Sequence, residues 1–343
     1  MNTITPGLST PLWTRVSVAF ALIISALASG VAEAQLVPES LYYGVDRRVP
    51  VLAEAPAGAA GAAEVRLYPA PGLDGAPASD PIVTAPIELG RVDFAALFPQ
   101  LWQRDGRTFD LHYAQLVIGG EEVGAPLVIQ PLVTPVRAKS SGQGVVWPPS
   151  PAVFTGLRVY PDQHVLLETT SGPIEVKLRP DHAPNTAWNI RTLAEGGFYT
   201  DILFPRIIAM LPGRGPFVIQ VGDPTGTGRG GPGYQFDLER SILPHDFGVI
   251  SMARSGDPDS NGSQVFLCLS RPGTQALDGN YTTFGYAVSG AAAIVEISAS
   301  PVGPGDRPVG ENLPKIESAR LVDAPVYSQT PAPVTRPEAG AER

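Results

Sequence analysis

Short stretches of alternating apolar and polar residues recur along the first third of the chain, and Gly, Pro or Asp clusters separate them. They are residues 63–68, 109–118 and 126–133, with one short helix expected at residues 92–98. Gly119-Gly120-Glu121 joins two of these stretches and predicts a hairpin turn, because glycine tolerates positive φ. Repeated short strands with turn residues between them predict a small β-sandwich at residues 36–139, with the immunoglobulin type as one form.

A second region with its own pattern begins at Arg158. Residues 165–170 and 174–178 alternate around Ser171-Gly172-Pro173 and predict a β-hairpin. Residues 183–194 have helical spacing, with Asn185 as the expected N-cap, and glycines follow the last turn. A second helix is expected at residues 269–275 or 291–297. The residues alone therefore predict an α+β domain with a mostly antiparallel sheet at residues 158–322.

The two ends of the chain and the segment between the domains lack such patterns. Arg15, an apolar run and Ala32-Glu-Ala34 make residues 1–34 an expected export signal with cleavage before Gln35. The protein is therefore expected in the periplasm or cell envelope, and an uncleaved N-terminal membrane anchor is the alternative. Residues 140–157 are rich in Gly, Ser and Pro and predict a linker. Residues 325–343 predict a disordered tail.

Composition narrows the function. The chain has 343 residues and a net charge of -9, which argues against a nucleic-acid partner because a phosphate backbone requires a basic surface. Cys268 is the only cysteine, so no intramolecular disulfide forms. The glycine-rich run 222–233 lacks Gly-Lys-Ser/Thr and contains two prolines, which favours turn geometry over a phosphate loop. No metal or cofactor is implied.

The most specific motifs lie between Phe204 and Phe284. They are Phe204-Pro-Arg206, Phe217-Val-Ile-Gln220, Gly248-Val-Ile-Ser-Met-Ala253, Ser260-Asn-Gly-Ser-Gln-Val-Phe266 and Leu277-Asp-Gly279. In this order they resemble the cyclophilin family of peptidyl-prolyl cis/trans isomerases. The resemblance implies an eight-stranded antiparallel barrel capped by two helices, an isomerase that needs no cofactor, and a monomer. The implied partners are proline-containing unfolded or extended polypeptides.

The resemblance also assigns the site. Arg206 matches the catalytic arginine, and Gln220 matches the glutamine that binds the substrate backbone or orients the arginine. Ala253 and Arg254 match the segment that pairs with an extended peptide. The residues that match the proline pocket are Phe217, Val218, Phe266, Leu277 and Tyr281.

Two departures keep alternatives open. Residues 207–216 make the separation between Arg206 and Phe217 longer than in the family, and Arg214 on this insertion is a rival site cation. Val218 replaces the family's methionine. A peptide-binding or scaffolding module with little isomerase activity is therefore the alternative function. A third hypothesis is an envelope assembly factor dominated by residues 36–139, whose partner the sequence does not identify.

Overall fold

The computed structural model describes residues 35–103, 110–142 and 144–338. The expected export signal at residues 1–34 and the last residues of the expected tail, 339–343, lie outside the described residues. Within the ranges described, none of the helices combines the length and apolar character required to cross a membrane.

The described residues of the first domain form eleven strands and one short α-helix. They are β1 (Gln35–Pro38), β2 (Tyr42–Gly44), β3 (Pro50–Glu54), β4 (Ala63–Pro69), β5 (Val83–Ile87), β6 (Gly90–Asp93), α1 (Phe94–Leu97), β7 (His112–Ile118), β8 (Glu121–Val133), β9 (Lys139–Ser141), β10 (Gly144–Val146) and β11 (Phe154–Pro161). Strands β1, β3 and β6 form one antiparallel sheet, and a six-stranded sheet has the order β2-β11-β8-β7-β4-β5. The hairpin β9–β10 stands apart from both.

The two sheets share one apolar core, so the predicted β-sandwich is present and the immunoglobulin type stays a prediction. Leu36 and Val51 of the smaller sheet pack against Leu67 and Leu116 of the larger one, and all four are buried. The predicted turn between β7 and β8 is confirmed, with Gly119 at φ 61° and Gly120 at φ 93°. Both angles lie where an L side chain is strained, which explains the paired glycines.

The second domain consists of nine strand segments and three helices. They are β12 (Gln163–Thr169), β13 (Gly172–Leu178), α2 (Pro184–Glu195), β14 (Ile202–Leu203), β15 (Arg206–Ile208), β16 (Val218–Val221), β17 (Val249–Met252), β18 (Val265–Cys268), α3 (Arg271–Thr274), β19 (Thr283–Ala287), α4 (Ala291–Ser298) and β20 (Lys315–Asp323). The strand order is β14-β20-β12-β13-β19-β17-β18-β16-β15.

This sheet closes on itself. Its two edge segments, β14 and β15, are separated in the chain only by Phe204 and Pro205. They therefore act as one broken strand that pairs with β20 at one end and with β16 at the other, and an eight-stranded antiparallel barrel results. Helices α2 and α4 contribute buried residues to the barrel core. The predicted fold class is confirmed, and α4 is the longer of the two expected second helices.

The boundary between the domains differs from the prediction. Strand β11 covers part of the expected linker 140–157 and the expected start of the second domain at Arg158, yet it pairs with β8 and β2 of the first domain. Gly156 lies on this strand at φ 141°, where a Cβ would meet the Tyr43 carbonyl oxygen at 2.1 Å. The glycine that indicates a linker in the sequence is thus required by close strand packing.

The six-stranded sheet is buried on both faces. Tyr68, Tyr113 and Tyr160 point away from the sandwich core and pack with Tyr327 of the C-terminal segment. Tyr160 also meets Trp188 of α2, with ring centroids 5.0 Å apart. The described residues of both domains belong to one compact unit. The sandwich and the barrel are therefore joined by a packed interface rather than by a flexible linker.

The expected disorder of residues 325–343 is wrong for the part that the structure describes, up to residue 338. The ring of Tyr327 is buried and stacks on Tyr68, with centroids 4.1 Å apart. Further along, the Val334 amide donates to the Ala287 carbonyl at 2.9 Å, and Arg336 donates to the Leu269 carbonyl at 2.7 Å. The segment has no apolar periodicity because it runs extended across the surface and is held by a few separate anchors.

The N-terminus of α2 is capped from a distant residue. Asn185 was the expected N-cap, but Ala183 occupies that position and has no side-chain oxygen. Instead, the Glu239 carboxylate accepts hydrogen bonds from the backbone and side chain of Asn185 at 3.0 Å and from those of Thr186 at 2.7 Å. A carboxylate there also interacts favourably with the positive end of the helix dipole.

Replacing Glu239 with alanine is expected to lower the free energy of unfolding by about 1–3 kcal/mol, because the buried Thr186 hydroxyl and the first helix amides lose their acceptor. Urea unfolding followed by tryptophan fluorescence measures the change. Glu296→Ala, an exposed glutamate on α4, is the control and should stay within about 0.5 kcal/mol of wild type. Equal stability of the two variants would contradict the capping role.

Candidate active site

Three neighbouring strands place the principal site residues in one row. Arg206 on β15 pairs directly with Gln220 on β16, and Gln220 pairs with Phe266 on β18. Directly paired residues share a face of the sheet, so these three side chains stand on the outer face of the barrel. The alternate residues Ile207 and Ile219 point into the barrel core. With strands about 4.8 Å apart, the Cα atoms of Arg206 and Phe266 are separated by about 10 Å.

An apolar cluster lies beside this row. It contains the predicted pocket residues Phe217, Val218, Phe266, Leu277 and Tyr281, together with Ala253. Tyr281 meets Phe266 edge to face, with ring centroids 5.8 Å apart. Phe217, Leu277 and Tyr281 are only partly buried, so the cluster retains apolar surface that a ligand can cover. The structure therefore brings together the side chains that sequence reasoning assigned to a proline pocket.

His245, which sequence reasoning missed, supports the pocket from below. Its ring stacks on Phe266 at a centroid distance of 6.0 Å and an interplanar angle of 13°. The two ring nitrogens lie 2.8 Å from Asp278 Oδ1 and 3.0 Å from Ser251 Oγ, which fixes the ring orientation. Burial lowers the pKa of this imidazole. The neutral ring is therefore a rigid platform for Phe266, and the only signal in the sequence was a lone histidine before an apolar strand.

Arg206 is half exposed and forms an ion pair with Asp306 at 3.4 Å. Asp306 lies on the loop between α4 and β20 with φ 60°, and the neighbouring Arg307 donates to the Thr227 carbonyl at 2.7 Å. Asp306 is about half exposed as well, and exposed pairs of this kind contribute little stability. The guanidinium is thus loosely held and accessible to a ligand. The sequence offered no signal for this ion pair, because Arg206 and Asp306 are 100 residues apart in the chain.

Gln220 is held by a relay of amides. Its side-chain amide donates to Gln264 Oε1 at 2.7 Å, and Gln264 in turn donates to the Gly230 carbonyl at 2.8 Å. Both glutamines line a cleft of about 740 Å³ between the glycine-rich segment and residues 253–264. Gln264 was not among the predicted site residues. These hydrogen bonds fix the side chain of Gln220, which stands next to Arg206 in the row.

The glycine-rich segment folds around Asp223. This carboxylate accepts from the hydroxyl and amide of Thr225, both at 2.8 Å, and from the amides of Gly228 and Arg229. Burial raises the pKa of Asp223, but these hydrogen bonds outweigh it and lower the pKa to about 2. Because the amides point at a carboxylate of the same loop, they do not cradle a phosphate, in agreement with the sequence prediction.

Ala253 and Arg254 border the pocket and the cleft. The Ala253 amide is already bonded to the Gln264 carbonyl at 2.9 Å. The Arg254 guanidinium donates twice to the Asn280 carbonyl, at 3.0 and 2.9 Å, and lies 4.7 Å from the centroid of the Tyr281 ring. Arg254 therefore positions Tyr281 through its side chain, a role that the sequence resemblance did not imply.

The insertion at residues 207–216 leaves the row intact. It extends the β15–β16 hairpin beyond the Ile208–Val218 pair and closes in a turn where Leu211 bridges Gly215. Arg214 is exposed in this turn. Arg206 pairs with Gln220 at the other end of the hairpin. The strand register therefore keeps Arg206 in the site, and Arg214 lies in the closing turn, away from the row.

A partly exposed apolar pocket is flanked by an accessible guanidinium and an oriented amide, all on the outer face of one antiparallel barrel. In residues 35–103, 110–142 and 144–338, no group of three or more His, Cys, Asp or Glu side chains is positioned to hold a metal ion.

Comparison with known proteins identifies the family. Residues 164–321 match the model of the cyclophilin-type peptidyl-prolyl cis-trans isomerase family. The chain is 42% identical over 165 residues to peptidyl-prolyl cis-trans isomerase-like 1 of Emericella nidulans, covering 47% of this chain and 95% of that protein. It is 42% identical to peptidyl-prolyl cis-trans isomerase ppi1 of Schizosaccharomyces pombe, covering 46% and 99%. A crystal structure of a Cryptosporidium parvum cyclophilin-type isomerase with the dipeptide Ala-Pro aligns with a TM-score of 0.42 at 30% identity, covering 47% and 99%.

The chain therefore belongs to the cyclophilin-type peptidyl-prolyl cis-trans isomerase family. Its second domain is a peptidyl-prolyl cis-trans isomerase, as the sequence resemblance predicted. The Emericella nidulans and Schizosaccharomyces pombe relatives are matched over nearly their whole length by less than half of this chain, and the family model matches only residues 164–321, so the sandwich domain lies outside the matched region.

All four histidines of the chain are predicted to make folding weaker in acid. Burial is the largest influence on each and lowers the pKa of His112, His164, His182 and His245 in the folded state. In the unfolded chain each imidazole titrates near its ordinary pKa of about 6.5. Just below that pH the unfolded state binds more protons, so the free energy of unfolding decreases as the pH falls.

Urea unfolding at several pH values between about 7.5 and 5.5 measures this dependence, in a window above the ordinary carboxylate pKa range. The midpoint should fall steadily toward the acid end. The variant His112→Gln removes one of the four groups and should show a shallower slope. A midpoint that stays constant across the window would contradict this prediction, as would an unchanged slope in His112→Gln.

Proposed function

We propose that the barrel isomerises Xaa-Pro bonds in extended or unfolded polypeptides and that Arg206 is its catalytic residue. The observation that carries the proposal is the row Arg206–Gln220–Phe266 beside a partly exposed apolar pocket. In this arrangement Phe217, Phe266, Leu277 and Tyr281 hold the proline ring, with Val218 in the pocket wall. Gln220 binds the peptide backbone next to the reacting bond.

The chemistry follows from the amide bond itself. Rotation about the peptide C–N bond has a barrier of roughly 18–20 kcal/mol because the nitrogen lone pair is shared with the carbonyl. In the twisted state the lone pair is localised on nitrogen, where a guanidinium N–H of Arg206 can donate to it. A donor that binds the twisted state more strongly than either planar state lowers the barrier, and the apolar walls exclude competing water. No bond is made or broken, so the site requires no nucleophile.

We further propose that the protein assists the folding of exported proteins in the periplasm or cell envelope. The support is the pattern of residues 1–34: a positive charge, an apolar run and Ala32-Glu-Ala34. N-terminal sequencing of the mature protein from fractionated cells tests this, and Gln35 is the expected first residue. Recovery of the intact N-terminus from the membrane fraction would support the anchored alternative, and an intact N-terminus in the cytoplasm would overturn export.

The isomerase proposal is tested with the full chain on two substrates. One is a short Xaa-Pro peptide, and the other is an unfolded protein whose refolding is limited by proline isomerisation. Acceleration of both is expected. A folded protein that binds the peptide without accelerating its isomerisation would favour the binding or scaffolding module, and acceleration of the peptide alone would restrict the activity to short substrates.

A further inference from the structure

Residues 134–153 of the sandwich domain, which we call the arm, contact the barrel. Strands β8 and β11 are adjacent and antiparallel, a pair that a two-residue turn can join. Residues 134–153 connect them instead, and an amide-to-carbonyl bond from Thr134 to Val153 at 3.0 Å closes the base of this excursion. Loops longer than about 12–15 residues in compact proteins are usually functional or disordered. The described residues of this arm carry the hairpin β9–β10 and the buried Ala138.

The arm is attached to the barrel beside the isomerase site. Arg137 lies 3.3 Å from both Asp237 and Asp259, and the Ser140 hydroxyl donates to the Gly256 carbonyl at 3.4 Å. At Gly144 a Cβ would lie 2.9 Å from the side-chain oxygen of Asn280. Asn280 precedes the pocket residue Tyr281, so the hairpin reaches the rim of the proline pocket.

Arm and barrel together line a recess of about 410 Å³, which contains both apolar and polar side chains. We define the arm recess by its lining residues, which are Val145 and Trp147 of the arm and Arg240, Ser241, Ile242, Leu243, Asp278 and Gly279 of the barrel. Ile242 is 65% exposed, so the recess has apolar surface that nothing in the described chain covers. Leu243 belongs to the same apolar cluster as Phe266 and Tyr281. Leu243 therefore belongs both to the lining of the recess and to the apolar cluster of the proline pocket.

The distance between the two sites suits an extended chain. Gly279 lies in the recess and Tyr281 in the proline pocket, and two residues of extended backbone span at most about 7 Å. A polypeptide bound by its proline therefore reaches the recess within a few residues.

We propose that the arm recess is a second substrate subsite, which takes an apolar side chain of the same extended polypeptide whose proline is in the pocket. The inference rests on the proposed isomerase function and specifies its substrate class: chains that carry a large apolar residue a few positions from the proline. The sandwich domain thereby restricts which Xaa-Pro bonds the barrel selects. This gives the first domain a role within the same reaction.

The test uses the full chain and four peptides. One is a short Xaa-Pro peptide, and the other three extend that core by about five Gly and Ser residues on each side. One extended peptide lacks Phe, and each of the other two carries a single Phe two to five positions from the proline, one on the N-terminal side and one on the C-terminal side. For one of the two placements, wild-type protein should show a KM about five- to tenfold lower than without Phe, because burial of an aromatic ring outweighs the ordering of the peptide.

Trp147→Ala and Ile242→Ser should abolish this preference and leave kcat/KM for the short peptide within about twofold of wild type. Leu89→Ser removes a comparably exposed apolar residue from the sandwich domain and should retain the preference. Wild-type protein that treats peptides with and without Phe alike would overturn the subsite. Loss of the Phe preference in Leu89→Ser as well as in Ile242→Ser would also overturn the subsite. If Ile242→Ser changes the molar mass of the protein in solution and leaves the Phe preference intact, the recess binds a second copy of the chain instead of substrate.

The failure of the isomerase proposal is distinguishable from these outcomes. It appears as an absence of catalysis on the short peptide in wild-type protein, whatever the recess variants do. Loss of the Phe preference with intact short-peptide activity is specific to the arm recess.

Discussion

Arg206→Ala is expected to lower kcat/KM for a short Xaa-Pro peptide by about 10²–10³-fold, the usual effect of removing one preorganised donor from a transition state. The guanidinium is the accessible cation in the row with Gln220 and Phe266, and the twisted amide is the state that needs it. The loss should fall mainly on kcat, because the apolar pocket still holds the proline ring.

Two companion variants sharpen this test. Arg206→Lys keeps the charge but not the planar fork of donors, so its activity should lie between those of wild type and Arg206→Ala. Arg214→Ala should stay within about twofold of wild type, because Arg214 lies in the turn beyond the far end of the β15–β16 hairpin. Both positions are exposed, so the unfolding midpoints of all three variants should not move appreciably. Activity that survives in Arg206→Ala and collapses in Arg214→Ala would transfer the catalytic role to Arg214.

Arg179→Ala is expected to lower the free energy of unfolding by about 3–5 kcal/mol, the cost of removing one partner of a buried ion pair. Arg179 is fully buried where the two domains meet. It donates to the carbonyls of Pro71 and Gly72 in the first domain at 2.9 and 3.0 Å, and to both carboxylate oxygens of Asp181 at 2.9 and 2.7 Å. Alanine leaves the largely buried Asp181 carboxylate and the carbonyls of Pro71 and Gly72 without this donor.

Urea unfolding of the full chain measures this loss. Arg320→Ala is the matched control, because Arg320 is exposed and its ion pair with Glu168 is long, at 3.8 Å. This variant should lower the free energy of unfolding by less than about 1 kcal/mol. The double variant Arg179→Met with Asp181→Leu should recover part of the stability, since it removes both charges together. A single variant Arg179→Ala as stable as Arg320→Ala would show that the interface does not depend on this pair.

The same interface explains where sequence reasoning failed. Tyr68, Tyr113 and Tyr160 alternate with core residues of their strands, which predicts strands but not what covers their second face. The partner surfaces, Trp188 on α2 and Tyr327 near the C-terminus, are remote in the chain. A linker and a disordered tail were therefore predicted where the structure has strand β11 and a docked C-terminal segment.

Strand and helix periodicity in the sequence by itself predicted a domain with a mostly antiparallel sheet, because alternation assigns each residue to a face of its strand. The order of the motifs from Phe204 to Phe284 resembles that of cyclophilins, and this resemblance added the closed barrel and the predicted site residues Arg206, Gln220 and Phe266. Only the tertiary structure decided what distant segments meet: Asp306 at Arg206, His245 beneath Phe266, and the arm at the rim of the pocket. These contacts depend on how the sheets close and pack, and no local pattern encodes that geometry.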